Sequence, residues 1–253
     1  MINAAWFSYD NVDYDNFYIA DFDNTPVKEA DAFSPALSLL KVPGNHRFYH
    51  GGIDYDTAPS CEFSIISKTA LDGAARSAVL SHLIGRKEFK PLRFSHGDNG
   101  DFTYYCVFTS AKDIYVNGQC HGFRLTAQFD SPFARGAPEE VTLGAGTHSV
   151  TIRNKTDADG YVYPLVVFSG GSIDIVNLTD DASRHFTFEG LGSDEEITVD
   201  NESKYISSSA GGEKLSNFTS KNWLRLRKGY NTLRVTCAGP VTITCPYYAM
   251  VGY

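Results

Sequence analysis

The chain has 253 residues, 42% of them hydrophobic, which suffices for one large core or two small ones and excludes disorder and collagen-like repeats. A formal charge of −8 argues against a tight nucleic-acid binder, whose affinity comes from Lys and Arg clustered on phosphates. No stretch approaches the ~20 apolar residues of a membrane span, and Met1-Ile-Asn-Ala-Ala-Trp-Phe7 lacks the basic and apolar regions of a signal peptide, so assembly in the cytoplasm and no membrane insertion are expected.

In chain order, the first feature is the apolar Phe17 to Ala20 followed by Asp21-Phe-Asp-Asn-Thr25. The pentapeptide looks like the DxDxT signature of haloacid-dehalogenase-type phosphatases, with Asp21 as nucleophile and Asp23 as acid/base beside Mg²⁺; Asp180-Asp181 imitates their later acidic motif. Those enzymes need a parallel sheet with alternating helices, which this chain does not offer, so the segment reads as a polar turn.

A helix is predicted over 69–84, capped by Thr69 with Asp72 three residues on, its apolar positions Leu71, Ala75, Ala78, Val79 and Leu83 on one face and Gly85 as the stop. Phe102, Tyr104, Cys106 and Phe108 then alternate with Thr103, Tyr105, Val107 and Thr109, the period-2 mark of a strand. Asn117-Gly118 suits a two-residue hairpin, the returning strand places Phe123, Leu125, Ala127 and Phe129 on one face, and Pro132 ends the ladder. The result is an antiparallel meander resting on one helix.

Ala134-Arg-Gly-Ala-Pro-Glu-Glu140 has no periodicity and marks a boundary between residues 1–133 and 134–253. The second part reads as roughly eight short strands at 148–152, 165–168, 173–175, 186–188, 197–199, 223–226, 233–237 and 241–245. The fold class is therefore mainly β: an antiparallel domain with one α-helix, then a β-sandwich of jelly-roll or galectin-like type.

No catalytic, metal or cofactor site is predicted. The five cysteines show no zinc spacing; Cys237 and Cys245 flank a hairpin turn at Ala238-Gly239-Pro240, with a cytosolic origin weighing against a disulfide. His46, His50, His96 and His121 lack metal-ligand spacing, and Asp157-Ala-Asp-Gly160 is half a calcium loop without its closing Glu. Sequons begin at Asn154, Asn177, Asn201 and Asn217 and read as chance in a Ser/Thr-rich β protein. Trp223, Tyr230, Tyr247 and Tyr248 are candidate platforms for a glycan, so a carbohydrate-binding sandwich of a tail tip or cell surface is the alternative function.

The order of elements resembles the distal tail proteins (Dit) of long-tailed phages. The match runs through the loop Val42-Pro43-Gly44-Asn45, the helix, the closure Phe129-Asp130-Ser131-Pro132-Phe133, Pro164 to Phe168, Gly170-Gly171, Ile173 to Asn177, Ile197 to Asp200, and Gly229-Tyr-Asn-Thr-Leu233. It departs at Ser131, at Lys228 where a Pro often stands, and at His82-Leu83 in place of Trp-Leu. The resemblance implies a structural, non-enzymatic protein of the virion tail tip, forming a hexameric ring. The ring would join the major tail tube protein and tape measure protein to a tail-associated lysin-like hub, and anchor receptor-binding and baseplate proteins. It reads no nucleic-acid sequence and needs no cofactor. Within such a ring, Asn45, His46, Arg47, Phe48 and Tyr49 offer interface-type side chains, and Phe129, Asp130, Pro132 and Phe133 form the domain junction.

Overall fold

A computed structural model describes residues 6–20, 36–54, 59–95 and 101–250, which divide into two units, Met1–Ala134 with Met250–Tyr253, and Arg135–Ala249. In the first unit the strands are β1 (Phe7–Tyr9), β2 (Val12–Asp13), β3 (Phe17–Ala20), β4 (Ala36–Lys41), β5 (Phe48–Asp54) and β6 (Ser60–Ser67). Helix α1 (Gly73–Leu83) precedes β7 (Lys90–Phe94), β8 (Tyr104–Val116) and β9 (Gln119–Phe129). Seven strands form one sheet in the order β2-β1-β7-β8-β9-β6-β3, every recorded pair antiparallel, and β4 and β5 form a sheet of two.

The expected meander is present. Tyr104, Cys106 and Phe108 on β8 and Phe123, Leu125, Ala127 and Phe129 on β9 are buried, and Asn117 (φ 50°) with Gly118 (φ 79°) makes the hairpin turn with both residues left-handed. A similar turn at Asp10 and Asn11 (φ 49° and 62°) joins β1 to β2, elements too short to leave a periodic signal. Tyr14, just beyond, stacks on Phe7 at 4.7 Å and shares a 2.5 Å hydrogen bond with His82 Nδ1 at the end of α1.

The helix is shorter than predicted. Its N-cap is Asp72, whose carboxylate accepts from Ala75 N at 2.7 Å, not Thr69. Leu71 N is already donated to Cys120 O on β9 at 2.8 Å, so the chain is still bound to the sheet where the predicted helix had begun. The face turned inward is Arg76, Val79, Leu80 and Leu83, with Leu83 fully buried, whereas Ala75 and Ala78 are exposed. Arg76 is fixed by two hydrogen bonds to Asp113 on β8, at 2.9 and 2.8 Å, which hold that carboxyl below its usual range.

The second unit is a two-sheet sandwich. Its strands are β10 (Ala134–Leu143), β11 (Gly146–Asn154), β12 (Leu165–Ser169), β13 (Ile173–Asn177), β14 (His185–Phe188), β15 (Glu196–Asp200), β16 (Tyr205–Ser208), β17 (Gly229–Cys237) and β18 (Val241–Ala249). One sheet runs β10-β18-β12-β15-β16 and the other β11-β17-β13-β14, with Val166, Phe168, Ile175, Phe186, Phe188, Val235 and Ile243 in the shared core.

Three expectations fail here. The stretch 134–140, read as aperiodic, is the start of β10, an edge strand, the one place in a sheet where a proline such as Pro138 is readily tolerated. Ala238-Gly239-Pro240 is no hairpin: β17 and β18 lie in different sheets, so the turn is an arch between them, and Cys237 and Cys245 are free thiols. That arch presses on the one between β12 and β13. A Cβ at Gly170 would lie 2.5 Å from Gly239 N, and one at Gly239 would lie 2.6 Å from Ser169 O, so only glycine fits at the crossing.

Third, Trp223 to Leu226 is not a strand. Beyond the isolated bridge of Val162 to Leu226, four buried asparagines bond the backbone of residues 224–227. Leu224 N donates to Asn201 Oδ1 at 2.7 Å, Asn177 Nδ2 donates to Arg225 O at 3.0 Å, and Asn154 Nδ2 to Leu226 O at 3.4 Å. Asn231 both accepts from Arg227 N and donates to Arg227 O. Asn154, Asn177 and Asn201 open three of the four sequons. In the first two, Oδ1 accepts from the amide two residues on, Thr156 N at 3.0 Å and Thr179 N at 3.1 Å, so Asn-x-Thr here is turn chemistry.

Glu195 closes the other end of the loop before β15. Lys214 Nζ at 2.7 Å, the Ser208 hydroxyl and Gly192 N–H all serve its carboxylate, which together lower its pKa from 4.5 to about 2. A depressed carboxyl stabilises the fold above its unfolded pKa and loses that contribution as pH falls through the folded value. Acid titration of the wild type should therefore lose stability between about 4.5 and about 2, and Glu195→Gln should flatten that stretch of the profile. Equal acid sensitivity of both proteins would refute this.

Candidate assembly surface

Of the exposed large apolar side chains of the first unit, Leu39, Leu40, Val42, Phe48 and Tyr49 lie together on the β4–β5 hairpin, while Val12, Tyr18, Phe89, Tyr115 and Val116 lie elsewhere. A two-stranded hairpin is marginal alone in water, and β4 and β5 pair only with each other among the described residues. Their register sets Lys41 opposite Phe48 and Leu40 opposite Tyr49. Strand alternation then puts Leu40 and Tyr49 on one face and Leu39 and Phe48 on the other. These four are 50–61% exposed, so among its described side chains the hairpin carries exposed apolar groups on both faces.

The hairpin tip is ordered by its own polar groups. Asn45 N donates to Val42 O at 3.0 Å across Gly44 (φ 82°), Arg47 N donates to Asn45 Oδ1 at 3.1 Å, and Asn45 Nδ2 donates to Tyr49 Oη at 2.8 Å. Lys41 Nζ lies 5.6 Å from the Phe48 ring centre. The predicted set Asn45, His46, Arg47, Phe48 and Tyr49 thus lies together on the tip and first residues of β5, all exposed but the half-buried Asn45. Leu39 and Leu40 on the facing strand were not predicted; four apolar residues in Ala36-Leu-Ser-Leu-Leu40 were the available signal. A second open feature is the outer edge of β8: past Phe108, its recorded ladder partner is β9 alone.

The junction residues end the first unit. Phe129 closes β9, buried, with its amide on Pro59 O at 2.9 Å; Asp130 N donates to Tyr105 O at 3.0 Å; Pro132 stands half-buried between them and β10, and Phe133 N donates to Ser131 Oγ at 3.1 Å.

The remaining sequence candidates are occupied or fall elsewhere. Asp21, Asp23, His96 and the side chain of His50 lie outside the described residues. Asp180 is ion-paired to Arg225 at 2.8 Å and accepts from Tyr161 Oη, and Asp181 caps Ser183, so neither is arranged as a metal ligand. Among the described residues no group of three or more His, Cys, Asp or Glu is placed to hold a metal, and no helix is long and apolar enough to cross a membrane. Of the aromatic platforms, Trp223 packs edge-on against Phe218, Tyr247 is half-buried and Tyr248 donates to Glu202; Tyr230 alone of the four is largely exposed, at 66%.

Known proteins resemble this chain in sequence and in fold. Residues 2–131 match a family model described as a phage tail protein N-terminal domain, and residues 138–245 one described as a phage tail C-terminal domain. Over 157 residues the chain is 27% identical to the SPbeta prophage-derived uncharacterized protein YomH of Bacillus subtilis (strain 168), an overlap of 58% of this chain and 59% of that relative's length. The fold is similar to the crystal structure of Dit (gp 19.1) of phage SPP1, a hub adsorption apparatus protein of Gram-positive infecting phages, with a TM-score of 0.69, 18% identity, and coverage of 96% of this chain and 98% of that one. A chain of the phage p2 baseplate in its activated conformation aligns with a TM-score of 0.59 and 7% identity, covering 97% and 99%.

Proposed function

The chain belongs to the phage tail protein family whose two domain models it matches, a structural protein of the virion tail with the Dit fold and not an enzyme, and from that premise we propose that it closes into a hexameric ring at the tail tip. The ring joins the tail tube and tape measure protein to the hub below, and holds receptor-binding and baseplate proteins at its periphery. The observation that carries this reading is the β4–β5 hairpin, which presents Leu39, Leu40, Phe48 and Tyr49 to solvent and needs a neighbour to cover them. A repeated head-to-tail contact on a tail axis must close into a ring, because otherwise it polymerises. Six subunits at −8 carry −48, a charge that lets DNA pass a channel wall without adhering.

Mass photometry and negative-stain imaging should show closed particles of six times the 27.9 kDa subunit. Leu40→Ser with Phe48→Ser should shift them to monomers of unchanged melting temperature. Losing two buried apolar side chains, each worth roughly 1.5–3 kcal/mol, raises the dissociation constant at least about 100-fold. A wild type that stays monomeric at high concentration, with its tail partners supplied, would exclude the ring.

A further inference from the structure

The two outer faces of the sandwich in the second unit differ in charge. On the five-stranded sheet, Glu196 and Asp200 stand outward between buried neighbours, and Glu140 is exposed on β10. The four-stranded sheet is different. Here β11 and β17 set Ser149 opposite Arg234, Thr151 opposite Thr232 and Arg153 opposite Tyr230, while Val150, Ile152, Asn231, Leu233 and Val235 turn inward. From Lys214 to the end, the sequence holds six Lys and Arg and no Asp or Glu, although the whole chain carries −8.

Neither Arg153 nor Arg234 has a carboxylate within ion-pair distance among the described residues. Arg153 is held over the Tyr230 ring at 5.5 Å, so the most exposed aromatic of the unit and a guanidinium form one platform. Of the carboxylates around this face, Glu139 accepts from the Arg153 backbone N at 3.1 Å and is ion-paired to Lys155 at 3.7 Å, and Asp174 on β13 accepts from His185 Nδ1 and Thr187 Oγ1, each at 2.8 Å. Arg153 and Arg234 stand four residues apart along the strands, about 14 Å, a span of several saccharide units. An exposed guanidinium fork matches a carboxylate, sulfate or phosphate. Rows of hydroxyls and an open tyrosine match sugar hydroxyls and a sugar face. The six positions contain no aliphatic side chain for a protein partner to bury.

We propose that this face binds an anionic polysaccharide lying across β11 and β17, with Arg153 and Arg234 on its charged groups and Tyr230 against a sugar ring. The assignment concerns the second unit alone and does not depend on the ring.

Binding of the full chain to dextran sulfate, neutral dextran and polyglutamate, measured by calorimetry near physiological salt, tests it. Dextran sulfate should bind, and Arg153→Ala with Arg234→Ala should weaken binding at least tenfold without moving the melting temperature. Tyr230→Ala should weaken dextran sulfate several-fold and leave polyglutamate unchanged. Failure to bind dextran sulfate, binding retained in the double variant, or equal binding of polyglutamate with no effect of Tyr230→Ala would overturn the proposal. So would self-association of the wild type that the double variant abolishes, since the face would then belong to a second copy.

Discussion

Asn231→Ala is expected to lower the melting temperature of the second unit by about 12–40 °C, given ~4–8 °C per kcal/mol for a domain of this order of size. Asn231 is fully buried. Its Oδ1 accepts from Arg227 N at 2.9 Å and Asn177 Nδ2 at 3.0 Å, and its Nδ2 donates to Arg227 O at 2.7 Å and Gly229 O at 3.1 Å. Alanine strands several of these groups away from water, each at a cost of ~1–3 kcal/mol, so the total is on the order of 3–5 kcal/mol. Asn217→Ala is the control: Asn217 donates to Glu189 O and Gly190 O at an exposed site, and its loss should cost about 1 kcal/mol or less. Calorimetry of both variants decides the matter, and equal shifts would show that the asparagine network does not hold the 223–228 segment.

The same network explains what could be read in advance. Asn177 at the end of its strand and Asn231 in Gly229-Tyr-Asn-Thr-Leu233 were visible as two separate points of family resemblance, and the fold joins them through a 3.0 Å hydrogen bond. Their purpose was not visible, because the groups they satisfy belong to a segment whose alternation, Trp223 to Leu226, imitates a strand. The meander was legible because alternation, Asn117-Gly118 and Pro132 agree along a continuous stretch. The helix start was misplaced at Thr69 because Asp72, read there only as its capping-box partner, is itself a good cap, and the distant acceptor Cys120 O keeps the chain on the sheet up to Leu71. Strand β10 was hidden because an edge strand tolerates Gly136 and Pro138, which read locally as a breaker pair. The turn Ala238-Gly239-Pro240 was misread as a hairpin for a related reason, since a short turn between strands looks the same in sequence whether it stays in one sheet or crosses to another. On the candidate surface, Phe48 and Tyr49 were named from residue type, and both are exposed. That the hairpin carries exposed apolar groups on both faces follows only from its pairing, which among the described residues includes no third strand.

In the first unit the largest effect is expected at Gly122. This residue of β9 lies opposite Ile66 on β6 and Ile114 on β8, in the middle of the seven-stranded sheet. A Cβ there would sit 1.9 Å from Ile65 O, 2.9 Å from Ile65 C and 3.0 Å from Ile66 Cα. All three atoms are backbone, so no rotamer change relieves the clash; β6 must move away from β9 by more than an ångström to restore ordinary contact. Ile65 and Phe123, both fully buried and paired across these strands, would lose their packing with the ladder. Gly122→Ala should therefore cost about 4 kcal/mol or more, at the extreme of single substitutions, and yield little folded protein. Gly118→Ala separates this from simple backbone strain. Gly118 has φ of 79° and no atom within 4 Å of the place a methyl group would take, so its substitution carries only the left-handed penalty of ~1–2 kcal/mol. Urea denaturation of the two variants gives the comparison. Similar midpoints would mean that β6 does not approach β9 as closely as the register of Ile66 with Gly122 requires.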